Sequence, residues 1–191
     1  MNVAVAHLSL PMMGELANGD RAVWRSDEAR RTLFAVIDGL GHGPDASAAA
    51  QAAVECLQAL SLDAPLHDMM EAVHDRLSGS RGAAATVCIV RARALEVCAV
   101  GNVEVRSPDV RLPLIFSAGV LGSQVRKFHI CRAELRSRAR VVLFSDGISS
   151  RTPVEDVRTL APQAACDAIM KKYRRKEDDA TVLVADAGEV P

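Results

Sequence analysis

The chain has 191 residues, 49% of them hydrophobic and 25% charged, and a formal net charge of −1. That length supports one domain with a sizeable core, and the near-neutral balance argues against a nucleic-acid or membrane-surface partner. No apolar run approaches the roughly 20 residues that span a bilayer, and no leader pattern opens the chain, so a cytoplasmic location is expected.

In chain order, residues 2–10 (NVAVAHLSL) alternate as a strand does. The Gly-rich turn GELANGD leads to strands near 20–27 and at 32–37 (TLFAVI). Residues 45–60 (DASAAAQAAVECLQAL) carry helix formers at helical spacing, with Asp45 as the expected cap. A second helix is predicted over 66–78, between Pro65 and Gly79. Successive strands follow at 84–90, 95–100, 103–107, 112–117, 126–132 and 140–145, rich in Val, Ile and Leu between turn residues. A helix at 162–173 ends in the basic run 171–176, which reads as a solvated helix end because Glu177–Asp178–Asp179 follows directly. A final strand covers 180–186. Helices early and late with many strands between do not give βαβ alternation. They suit an α+β layered domain of mostly antiparallel sheets covered by helices, a single domain over 1–191. Aromatics make up 3% of the chain, so the core rests on Ala, Val, Leu and Ile. Five cysteines, at 56, 88, 98, 131 and 166, form no CxxC pair and read as small apolar residues.

The chemistry is concentrated at strand ends. VIDG (36–39) and FSDG (144–147) each run an apolar strand into Asp-Gly, and EDDAT (177–181) sets carboxylates just before the last strand. Asp20 opens a strand after a Gly turn. Carboxylates brought together at low dielectric repel, and a hard divalent cation relieves that repulsion through oxygen ligands. Glycine after the Asp lets the chain turn and leaves its carbonyl free. Asp-Gly is also a common turn dipeptide, so each motif taken singly fits a turn as well. The recurrence of the pattern favours the metal reading.

Six segments in order, GELANGD (14–20), VIDGLGHG (36–43), GAAATVCIV (82–90), VGNVEV (100–105), FSDGIS (144–149) and DDATVLV (178–184), resemble the motif series of the metal-dependent protein phosphatases of the type 2C (PPM) superfamily. The resemblance is closer to the bacterial SpoIIE and RsbX branch, and the length is that of stand-alone RsbX-type members. It implies a four-layer αββα sandwich with two Mn²⁺ or Mg²⁺ ions at one edge. On these residues it implies Asp38 bridging both ions, the Gly39 carbonyl on one, and Asp146 and Asp178 on the other. Asp20 matches the acidic position of the first motif. Gly147, Asp179 and Thr181 would support the acidic loops, Asp179 by structural hydrogen bonds. The activity implied is removal of phosphate from phosphoSer or phosphoThr by water activated between the two ions. The substrate class implied is a phosphorylated STAS-domain protein of the stressosome type.

The sequence departs from the eukaryotic pattern at two points. Leu40 stands where those members place a His after Asp-Gly, which leaves His42 as the candidate proton donor to the leaving oxygen. No arginine matches their phosphate-binding position, and Arg21, Arg25 and Arg81 are the candidates. Asn102 replaces the acidic residue of the VGD motif, so no third ion is expected there. The competing reading is a catalytically silent phosphatase-like module that binds a phosphoprotein or signalling partner. Met12–Met13, just ahead of GELANGD, are placed for a partner-facing loop.

Overall fold

The computed structural model describes residues 1–135 and 138–188. The strand signals resolve into two antiparallel sheets packed face to face. One has the order β1 (Asn2–Leu10), β11 (Ala180–Gly188), β10 (Arg138–Phe144), β6 (Glu104–Arg106). The other has the order β2 (Asp20–Ser26), β3 (Thr32–Gly39), β4 (Ala83–Arg91), β5 (Ala94–Val100), β9 (Ile130–Glu134). A short hairpin, β7 (Gly119–Val120) with β8 (Gln124–Val125), lies beside the second sheet.

The continuous apolar run of β3 follows from having a covered layer on both sides, since alternate side chains enter different cores. Leu33, Ala35 and Ile37 pack under α1 (Pro44–Ala59) and α2 (Leu66–Arg76), with Ala50, Leu57, Met69 and Met70. Phe34 and Val36 point the other way, into the space between the sheets, and meet Leu143, Leu183 and Ala185. On the far side, Phe144, Val182 and Val184 pack against Ile169 and Met170 of α3 (Pro162–Tyr173). The layers are therefore helix, sheet, sheet, helix, the α+β sandwich expected. Among the described residues, no helix is long and apolar enough to cross a membrane. All five cysteines are free thiols. Burial pushes Cys98 up to about 11 and Cys166 to about 12, so both stay protonated packing groups.

Three local expectations change. Residues 112–117 form no strand: Leu112 and Leu114 pack on the inter-sheet core, but among the described residues only Ser117 makes a bridge, to Val100. The strand placed at 126–132 is Ile130–Glu134. Asp45 does not cap α1. The cap is Gly43, at φ +82° and without a side-chain bond, Pro44 opens the helix, and Asp45 lies in its first turn, where a carboxylate still suits the helix dipole.

Candidate metal centre

The topology carries four acidic strand ends to one edge of the sandwich. Asp20 and Asp38 sit directly opposite each other on β2 and β3. Asp146 follows the end of β10, and Asp178 and Asp179 precede β11, the strand paired with it. A second short ladder fixes the two loops together: Ile148 bridges Arg174, Ser149 N–H donates to the Tyr173 carbonyl at 2.9 Å, and Arg175 N–H to Gly147 at 2.7 Å.

A cleft of about 380 Å³ opens at this edge, lined by Asp38, His42, Asn102, Asp146, Glu177 and Asp178 among others. Asp38, Asp146 and Asp178 are partly exposed to it. Burial pushes the Asp38 carboxyl up to about 8, with the charges of Asp20, Asp146, Asp178 and Asp179 adding to the rise. Asp178 is raised by burial and by Asp146, against its hydrogen bond from the Asp179 N–H and the charge of Arg175. Asn102 Nδ2 donates to Asp146 Oδ2 at 2.7 Å, which orients that carboxylate.

The other two acids face inward. Asp20 is 1% exposed and does not line the cleft, and its Oδ2 accepts the Ser145 hydroxyl at 2.5 Å. Burial raises it to about 7, although the Ser145 and Thr181 hydroxyls work against the rise. Asp179 accepts Met12 N–H at 2.7 Å on one oxygen and Gly19 N–H at 2.8 Å on the other, which pins the loop between β1 and β2. Thr181 Oγ1 shares a 2.6 Å hydrogen bond with Ser9, and its N–H donates to Ser145 Oγ at 2.9 Å. Ser145 was not singled out in the sequence. It joins Asp20 on one sheet to Thr181 on the other, and a Ser beside Asp-Gly gives no pattern that would announce this.

The glycines next to the Asp residues have a reason beyond the one expected. Gly39 is still within β3, and a Cβ there would lie 2.1 Å from the Ala46 carbonyl oxygen of α1. At Gly147 a Cβ would lie 1.9 Å from the Asp179 carbonyl oxygen. Close backbone approach requires both, and at Gly147 the chain also turns, the Ile148 N–H donating to the Ser145 carbonyl at 3.0 Å. Neither motif forms a hairpin.

The three candidate arginines separate cleanly. Arg21 donates to the carbonyls of Asn18 and Asp20 and to Ser47 Oγ, tying β2 to α1. Arg25 donates to the Leu57 and Leu60 carbonyls and satisfies the C-terminal end of α1. Arg81 remains at the surface beside Gly41 of the cleft loop, paired with Asp45 at 3.3 Å. The His42 side chain is 61% exposed on the cleft rim, with its Nδ1 3.7 Å from Glu15 Oε1.

The donor set suits divalent cations: acceptor oxygens on converging carboxylates, partly desolvated, with neighbouring charges adding to the rise at Asp38 and Asp178. Among the described residues, His67, Asp68 and Glu71 form the one cluster whose donor atoms close within 4.8 Å. It is an exposed set of ion pairs on α2. The donor atoms of the cleft carboxylates do not all close to that distance.

Residues 28–188 match the family Stage II sporulation protein E (SpoIIE). The chain belongs to the SpoIIE family, of the PPM class of serine/threonine phosphoprotein phosphatases. Among solved structures, it is similar to a chain from the bacterial stressosome, a modular system adapted to control secondary messenger signalling. The two share 27% identity with a TM-score of 0.87, covering 97% of this chain and 100% of that one. RsbX in complex with magnesium is similar at 21% identity and TM-score 0.82, over 96% and 94%. The catalytic domain of the serine/threonine phosphatase PstP, with two manganese ions, is similar at 18% and 0.77, over 98% and 99%. No curated protein sequence matches the chain significantly.

Proposed function

We propose that this chain, as a single phosphatase domain, removes phosphate from phosphoSer or phosphoThr of a bacterial signalling protein, and that the cleft carboxylates hold two Mn²⁺ or Mg²⁺ ions. The observation that carries this reading is the convergence of Asp38, Asp146 and Asp178 on one cleft, with burial and mutual repulsion lifting Asp38 to about 8. A carboxylate in that state is poorly placed to stay ionised without a cation, and a binding module has no need of such a cluster. Asp38 and the Gly39 carbonyl would hold one ion, with Asp38 shared, and Asp146 and Asp178 the other. When bound, the ions supply the polarisation of water and the neutralisation of phosphoryl charge.

The protein's own groups do the rest. Asp20, through Ser145, holds the β2–β3 strand end against the β10–β11 loops. His42, near Glu15, stands on the rim from which it can protonate the departing seryl oxygen. His42→Gln should then lower turnover of a phosphoserine peptide by about a hundredfold. Hydrolysis of p-nitrophenyl phosphate, whose leaving group needs no proton, should not change. Equal losses on both would remove His42 from that role.

The structural similarity to the stressosome chain and to RsbX supports a STAS-domain phosphoprotein of the stressosome type as substrate, with a cytoplasmic site of action. The decisive experiment is p-nitrophenyl phosphate hydrolysis with Mn²⁺, with EDTA, and with Asp38→Asn or Asp146→Asn, alongside calorimetric Mn²⁺ binding. Manganese-dependent turnover lost in both variants supports the reading. Neither turnover nor metal binding would leave the silent phosphoprotein-binding module.

A further inference from the structure

Beside the cleft runs a second groove, of about 280 Å³, whose walls include Pro11, Met12, Met13, Glu15, Arg174 and Lys176. Met12 lines both, so the two adjoin at its side chain. The groove combines apolar surface with unpaired positive charge. Met13 is 66% exposed and Leu16, on the same loop, 103%. Exposed large apolar side chains gathered on one loop beside a cleft are candidates for an interaction surface. Arg174 spends one Nη on the Pro11 carbonyl, and neither it nor Lys176 has a carboxylate partner among the described residues. The one acid of the groove, Glu15, faces His42.

The loop that carries these side chains is held at its backbone. Asp179 binds the Met12 and Gly19 N–H groups, Met13 N–H donates to the Lys176 carbonyl at 3.0 Å, and Glu15 N–H to Met12 at 3.0 Å. A ligand meeting this loop has little backbone order left to impose, which lowers the entropic cost of binding.

We propose, resting on the phosphatase reading of the cleft, that this groove docks the stretch of substrate protein adjoining the phosphorylated residue, and that the stretch it selects is apolar with an acidic residue. An extended chain advances about 3.3 Å per residue, so a phosphate in the cleft leaves the next few residues passing over Met12 into the groove. There Met12 and Met13 offer apolar contact, with methionine's adaptable shape, and Arg174 and Lys176 meet a carboxylate. The arrangement selects against a basic flank by like charge.

The test uses two phosphoserine peptides of equal length, one with Leu, Met and Glu beside the phosphoserine and the other with Ser and Lys in their place. With Mn²⁺, the first should have a kcat/KM about tenfold higher, the size of one good charge contact. Lys176→Glu should abolish or reverse that preference, and Met13→Asp should weaken the first peptide. In both variants p-nitrophenyl phosphate turnover should be unchanged, and circular dichroism should report an intact fold. Equal kcat/KM for the two peptides, or a preference that survives Lys176→Glu, would overturn the docking inference while aryl phosphate turnover leaves the phosphatase standing. Should aryl phosphate not be hydrolysed at all, the phosphatase reading fails first, and fluorescence anisotropy of the same labelled peptides still reads the groove, where equal affinities overturn it. A dimer in sedimentation that Met13→Asp dissociates would assign the groove to a second copy of this chain and overturn it as well.

Discussion

At this edge each sheet sets one acid facing the cleft with a second buried behind it, and the two pairs are built differently. In one, Asp38 faces the cleft and Asp20 lies sealed behind it, met by hydroxyl donors. In the other, Asp178 faces the cleft and Asp179 lies behind it, with a backbone N–H on each oxygen. Backbone amides are fixed dipoles that stabilise an anion wherever it is buried. At Asp20 burial outweighs the two hydroxyls and raises the carboxyl to about 7. The pairs thus differ in what meets the buried acid: side-chain hydroxyls that link the two sheets in one, backbone amides that pin a loop in the other.

The sharpest way to test this contrast is to remove one member from each pair. Asp38→Asn should fold normally and lose Mn²⁺-dependent turnover by on the order of a hundred- to a thousandfold, as measured on aryl phosphate. Asp179→Ala should act on the fold, because it orphans two buried N–H groups. A loss of about 3–5 kcal/mol in urea unfolding is expected, and a loss under 1 kcal/mol would break the distinction.

A smaller effect separates Asp20. Its carboxyl and that of Asp38 titrate at about 7 and about 8 in the folded, metal-free protein, both above the ordinary 3.8. Between about pH 4 and 8 the folded state therefore holds protons that the unfolded chain releases, and stability falls as pH rises through that window. Melting in EDTA should drop by several degrees from pH 5 to 8.5, at about 2–4 °C per kcal/mol for a chain of this size. Asp20→Asn should flatten the slope, as should added Mn²⁺. A Tm that rises with pH in EDTA would contradict the burial of these acids. The smallest effect belongs to Asn102. Asn102→Ala frees the Asp146 oxygen but loses its orientation, and calorimetry should show Mn²⁺ affinity reduced by about tenfold.

Much of this was legible along the chain. β3, β10 and β11 could be read because strands covered on both faces are written as unbroken apolar runs, and the acids sit where those runs stop. Leu112 and Leu114 misled for a physical reason: alternation reports half-burial, and they are half-buried, but no neighbouring strand takes up their backbone groups. The roles of Arg21 and Arg25 were out of reach because both are set by oxygens on α1, Ser47 and the Leu57 and Leu60 carbonyls, which only the packed fold brings alongside β2. Ser145 lay equally hidden, since its partners come from two different sheets. The cleft loop itself was visible, and the groove next to it was foreshadowed by the Met pair alone.

One feature of the topology bears on how the molecule comes into being. β11 is central in its sheet, with β1 on one side and β10 on the other, so that Asn2 lies opposite Gly188. During synthesis β1 emerges first and has no ladder to join until residues 180–188 have left the ribosome, immediately after the loop that supplies Asp178 and Asp179. Pairings so distant in sequence make for slow closure, and an edge left open meanwhile is a hazard for association with other chains. The acidic cleft and the sheet of β1, β11, β10 and β6 are thus completed by the same late segment, and a nascent chain stopped short of it has neither.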